Sequence, residues 1–143
     1  MTYLPDVNVW IAFAVGIHVH HSVAKRWFDE VVSDGLAFCR ITELGMFRLL
    51  TNSKAMDGAP LSAGDAWGIR DQFGCDSRTL VIGEEAGFVK HWRQTAAAGR
   101  VGPNFWTDAY LISLCASAGC TLVTFDRALA RQNRCEVTLL EAK

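Results

Sequence analysis

Residues 104–129 read NFWTDAYLISLCASAGCTLVTFDRAL. Phe105 to Ala118 forms an unbroken helical pattern, and Gly119 stands where a helix needs a left-handed stop. Thr121 to Phe125 is β-branched and apolar enough for a strand buried on both faces. Asp126 then hands the chain to a short helix, Arg127 to Gln132. Helix, buried strand and helix in such close succession are the signature of an α/β protein with a parallel sheet.

The same alternation extends in both directions. Residues 2–7 form a short buried strand in which Pro5, lacking an N–H, requires either an exposed side or an irregular start. Val7 to Val15 is a packed helix ending at Gly16. Ser22 to Val32 carries Val23, Trp27 and Val31 beside Ala24 and Phe28 at helical spacing, with Gly35 as its stop. Leu36 to Cys39 is a strand, and from Ile41 the series Leu44, Phe47, Leu50 returns to helical period. A polar loop covers 51–60, and a helix weakened by Gly64 and Gly68 covers Leu61 to Phe73. Arg78 to Ile82 is a strand, Glu84 to Ala98 a helix, Gly99 to Asn104 a turn, and Val137 to Leu140 the last strand. Residues 1–143 are thus expected to make one domain, a three-layer α/β/α sandwich around a mainly parallel sheet.

Bulk properties limit the function classes. Half the residues are hydrophobic and a fifth charged, an ordinary globular balance. Asp6, Arg40 and Asp126 break up the best apolar runs, and MTYLPDVN lacks a signal peptide's features, so a cytoplasmic protein without a membrane span is expected. The five cysteines are odd in number and lack CxxC spacing, which argues against a disulfide framework or zinc ribbon. Cys39 and Cys115 read as buried free thiols. The formal charge of −1 becomes +3 once four particular acids are set aside, which permits an RNA partner without demanding one.

Those four are Asp6 in YLPDVNVW, Glu43 in RITELGMF, Asp108 in NFWTDAYL and Asp126 in LVTFDRAL. Three end runs that read as strands, and Asp108 opens a helix after a turn. In an open parallel sheet such junctions gather along the carboxyl edge, where ligands bind. Each acid alone is explained as well by helix capping or dipole complementation as by catalysis. Four together would repel one another without a cation. Oxygen donors unaccompanied by paired His or Cys favour Mg²⁺ or Mn²⁺, and metal held this way suits phosphodiester chemistry. Asn8 and Thr124, each two residues from an acid, are placed to orient the carboxylates.

The runs DVNVWIA, RITELGMFRLLTN and NFWTDAYLISLCASAGCTLVTFDRAL resemble the PIN-domain ribonucleases, most nearly the VapC toxins of toxin–antitoxin pairs. The likeness extends from Asp6 to about Leu129 and is weak across residues 51–100. It implies an acidic quartet of Asp6, Glu43, Asp108 and Asp126, with Thr124 and Asn8 as supporting residues. It also implies a Mg²⁺- or Mn²⁺-dependent endoribonuclease that cuts structured RNA such as tRNA or rRNA and so inhibits translation. A small VapB-type antitoxin and a homodimer are implied as well. Hydrolysis by a water made more acidic by the cation would leave a 5′-phosphate and a 3′-hydroxyl.

Other features have plain explanations. His18, His20 and His21 lack the spacing of a zinc site and read as a polar loop. Arg48 and Arg127 are the best candidates for RNA phosphate contacts among Arg40, Arg48, Arg127, Arg131 and Arg134, although surface charge is the simpler reading for each. Trp10, Trp27 and Trp106 lie on or beside apolar stripes, so core packing is the default, with a groove for an antitoxin helix as the alternative around Trp10 to Val32. A haloacid-dehalogenase-type phosphatase would want an acid where Asn8 stands. A phosphoacceptor or RNA-binding module would leave the complete quartet unexplained.

Overall fold

Alternate residues of the short strands are buried on opposite faces, and this builds the molecule. The computed structural model describes residues 1–141. Its elements are β1 (Thr2–Pro5), α1 (Val7–Ala14), α2 (His21–Glu30), β2 (Gly35–Phe38), α3 (Arg40–Leu50), α4 (Ala63–Gly74), β3 (Thr79–Val81), α5 (Phe88–Thr95), α6 (Phe105–Ala118), β4 (Thr121–Thr124), α7 (Arg127–Ala130) and β5 (Val137–Leu139). All strand pairs are parallel, in the order β3-β2-β1-β4-β5.

Tyr3, Leu36, Phe38 and Val123 face one layer, where Val9, Trp10, Trp27, Phe28, Met46 and Leu50 cover them. Leu4, Ala37 and Leu122 face the other, beneath Phe88, Leu111, Leu114 and Cys115. Period-two alternation on strands buried from both sides yields the three-layer α/β/α sandwich. Trp10 is fully buried, stacks on Phe38 at 3.8 Å and meets Phe28 and Phe73, so it belongs to the core and lines no groove. Trp27 is also buried, edge-on to Tyr3. Trp106, by contrast, is 56% exposed.

Pro5 corrects an expectation. It is buried at the end of the central strand, with neither an exposed side nor an irregular start before it. The register with β2 stops at Tyr3–Leu36, whereas that with β4 runs on to Pro5–Val123, and Asp6 N–H continues it by donating to the Val123 carbonyl at 2.9 Å. The missing donor therefore falls where the β2 ladder has already ended.

Gly35 is a second correction. It does not stop α2, whose last turn closes when Val31 N–H donates to the Trp27 carbonyl. Gly35 instead opens β2, where a Cβ would lie 2.7 Å from Leu80 Cδ2. The end of α2 is tied down by Arg78, whose guanidinium donates to the Phe28 and Val31 carbonyls and pairs with Asp76. Helix α5 is also shorter than the expected Glu84 to Ala98. Gly87, at φ 92°, holds a left-handed turn and forces the helix to begin at Phe88. The expected boundaries of α6 agree with the structure, and Gly119 closes it at φ 71°.

Candidate active site

The strand order places the site. From β1 the chain adds β2 and β3 on one side, then crosses over to add β4 and β5 on the other. The reversal lies between β1 and β4, and a crevice opens at the carboxyl ends of such a pair. Asp6 follows β1 there, and Asp126 closely follows β4.

Each of these acids caps the next helix. Asp6 Oδ1 accepts from Val9 N–H at 3.0 Å, and Asp126 Oδ1 accepts from Ala128 and Leu129 N–H at 2.8 and 3.3 Å. Capping and site formation are thus the same placement. Thr124 joins them: its hydroxyl donates to Asp6 Oδ2 at 2.5 Å and accepts from Asp126 N–H at 3.0 Å. Asp108 comes from the first turn of α6, whose N-terminus points towards the same space.

Asp6, Asp108 and Asp126 line one cavity of about 370 Å³, together with Asn8, Arg48, Asn104 and Thr107. Helices α1 and α3 pass close beside it, because Gly45 lets α3 approach Val7; a Cβ at Gly45 would stand 2.5 Å from Val7 Cγ2. Asn104 and Thr107 escaped the sequence reading. Their only signal was position, in the turn and a half before and at the start of the helix that carries Asp108.

Glu43 is placed differently. It is buried on α3, but both of its oxygens are engaged by cations and it does not line the cavity. Arg40 donates to Oε1 and Arg70 to Oε2, each at 2.9 Å, and the Arg70 guanidinium lies 4.5 Å from the Phe38 ring centroid. Nothing in the sequence connects Arg70, on α4, with Glu43. Arg127 points to Glu141, with 3.4 Å between charged atoms and both side chains exposed, whereas Arg48 faces the cavity. The His18–His21 segment makes its contacts elsewhere: the His21 ring is 2.8 Å from the Ala12 carbonyl, and His20 stacks on Phe125.

The cavity is electrostatically unfavourable as it stands. Burial chiefly raises the Asp6 pKa, against the bonds from Thr124 and the backbone, and Asp126 adds to the rise. Burial first, then the charges of Asp126 and Asp6, push Asp108 up to about 6. Among the described residues, no three acidic, His or Cys side chains stand together closely enough to hold an ion. What suits a hard cation is the donor chemistry: three carboxylates on one cavity, with no His or Cys among its lining residues.

These shifts predict an effect of Asp108→Asn on the metal-free protein. Unfolded Asp108 ionises near its ordinary 3.8, while the folded carboxyl holds its proton to about pH 6. Between those values the unfolded chain binds fewer protons, so rising pH costs the folded state stability, and the deficit persists above pH 6. The full shift corresponds to about 3 kcal/mol; for this half-exposed group, solvent screening reduces it to about 1 kcal/mol. In EDTA the substitution should raise Tm by about 3 °C at neutral pH and by nothing near pH 3.5. An equal gain at both pH values would show that charge is not the cause.

The PIN domain family profile matches residues 3–134. Ribonuclease VapC41 of Mycobacterium tuberculosis is 36% identical over 96% of this chain and 97% of its own length. Ribonuclease VapC39 of the same species is 36% identical over 91% and 92%. In three dimensions, the VapBC2 complex of Rickettsia felis, bound to a DNA fragment from its promoter, contains a chain similar to this one. That chain superposes with a TM-score of 0.72 at 15% identity, covering 99% of this chain and 100% of its own. VapC20 of M. tuberculosis, a sarcin-ricin loop cleaving toxin, gives 0.66 at 16% identity over 90% and 93%.

Proposed function

The chain belongs to the PIN-domain family and, within it, to the VapC group; from this premise we propose that it is a toxin endoribonuclease that cuts structured RNA with the help of Mg²⁺ or Mn²⁺. The observation that carries the proposal is the junction at the sheet's reversal point, where one threonine hydroxyl joins Asp6 to the Asp126 backbone beneath Asp108.

Asp6, Asp108 and Asp126 are the residues that would hold the ion. When bound, the ion supplies charge neutralisation and makes water a stronger acid at neutral pH. Thr124 and the N–H groups of Val9, Ala128 and Leu129 fix the orientation of Asp6 and Asp126, leaving both Asp108 oxygens and Asp126 Oδ2 for the cavity. Arg48 lines that cavity and is suited to receive a substrate phosphate; Arg127, one residue beyond Asp126, is the second candidate. Glu43, ion-paired with Arg40 and Arg70, is the fourth acid of the proposed group. Water attacks in line at phosphorus and the ribose 3′-oxygen leaves, giving a 5′-phosphate and a 3′-hydroxyl.

The naming of VapBC2 as a complex supports a VapB-type antitoxin as partner for this chain too. A homodimer is the expected assembly. Among the described residues no helix is long and apolar enough to cross a membrane.

Cleavage of total RNA by the purified, antitoxin-free chain tests the reading. Discrete cuts are expected with Mg²⁺ or Mn²⁺, none with EDTA, and all with 5′-phosphate ends. A 2′,3′-cyclic phosphate, or cutting that survives EDTA, would overturn the metal-assisted mechanism. Intact RNA under every condition would favour a binding module.

A further inference from the structure

A second cavity, of about 630 Å³, is lined by the end of α6, Gly119 to Thr121 at the start of β4, and residues 132–137 leading into β5. Because the strands are parallel, it lies at the opposite edge of the sheet from the acids. None of its lining residues lines the acidic cavity. Three thiols face it: Cys115, Cys120 and Cys135.

Cys135 is held by its neighbour Gln132. Gln132 Nε2 donates to Cys135 Sγ at 3.3 Å and to the Cys135 carbonyl at 3.1 Å. Its Oε1 accepts from the N–H groups of Arg134 and Cys135 at 2.6 and 3.3 Å. One amide therefore fixes both the loop and the sulfur. Cys135 also packs against the apolar cluster that contains Cys115, and the two residues line the same cavity. Cys115 itself is 1% exposed, whereas Cys135 is partly open.

The arrangement divides the roles. Interaction with Cys115, with help from Gln132, draws the Cys135 thiol below its ordinary range in spite of burial. The same interaction, together with burial, pushes Cys115 up. A partly open sulfur that accepts from Gln132, with a buried thiol lining the same cavity, is the configuration of an attacking and a resolving cysteine.

We propose that Cys135 and Cys115 form a thiol pair that hydroperoxides oxidise to a disulfide, with Cys135 as the attacking sulfur. The Cys135 thiolate attacks a peroxide oxygen; an S–O bond forms, the O–O bond breaks, and the leaving hydroxide takes up a proton. Cys115 sulfur then displaces the hydroxyl from Cys135, forming the S–S bond while the departing oxygen leaves as water. With hydrogen peroxide, two thiols are oxidised and one peroxide is reduced to two waters. The bridge would fasten the segment that carries the chain from α7 to β5 onto α6.

Treatment of the wild-type chain with hydrogen peroxide, followed by alkylation under denaturing conditions, mass measurement and peptide mapping, tests this independently of any nuclease activity. The expected result is three alkylated cysteines where the untreated chain has five, a mass lower by those two alkyl additions and two hydrogen atoms, and a Cys115–Cys135 linked peptide. Cys115→Ser should stop at a sulfenic acid on Cys135 that dimedone captures. The proposal is overturned if Cys115 and Cys135 both remain alkylatable at doses that oxidise the exposed Cys75, or if the bridge joins any other pair. The wild-type map alone decides the matter if the variant fails to fold.

Discussion

Asp6→Asn is expected to lower RNA cleavage by on the order of 10²–10³-fold, the scale of removing one electrostatic stabiliser from an active site. The substitution keeps an oxygen for the Val9 N–H but replaces the charged oxygen that accepts from Thr124 with an amide. It also removes one of the charges that raise Asp108. The fold should persist, because the capping bond survives and a buried, partly repelled charge is gone. Thermal melts beside cleavage rates separate the two effects. An undamaged rate from the folded variant would remove Asp6 from the chemistry. Mg²⁺ should raise the Tm of the wild type much more than that of Asp6→Asn, by mass action on the folded state.

Trp10→Ala should be the most damaging change to stability, at about 3–5 kcal/mol. Trp10 is fully buried, stacks on Phe38 and touches Phe28 and Phe73, so truncation empties the centre of the layer formed by α1, α2, α3 and α4. For a chain of this length the loss corresponds to a fall in Tm of roughly 10 °C or more. Trp10→Phe should cost much less. It keeps an aromatic ring against Phe38 and removes an indole N–H that is buried without a partner. Denaturant unfolding of the three proteins checks the order. If Trp10→Ala were as stable as wild type, the packing described here would be wrong.

How far the sequence could be read depended on whether a signal was local. Helix α6 combines fourteen residues without a breaker and a glycine stop, all contiguous, and its expected limits are those observed. The junction acids were legible for the same reason, since each stands beside its own strand or helix. Gly35 misled because a glycine after a helix resembles a stop, while its real constraint is Leu80, a neighbour only across the sheet. The early start expected for α5 ignored Gly87, whose left-handed turn local periodicity does not register. The ion pairs of Glu43 with Arg70, and the hold of Arg78 on the α2 carbonyls, join residues far apart in the chain. No spacing rule reaches them. Pro5 was read as a defect of its strand, but the ladder it would interrupt had already ended at Tyr3.

The bond from Thr124 to Asp6 spans 118 positions of the chain. During synthesis, Asp6 leaves the ribosome long before Thr124 and waits for its hydroxyl partner to exist. Until β4 emerges, β1 has a neighbour on one side only, and neither Asp108 nor Asp126 shares a cavity with Asp6. A growing or truncated chain therefore carries its first acid without a site around it. The acidic cavity is completed late and all at once, when the crossover strand docks.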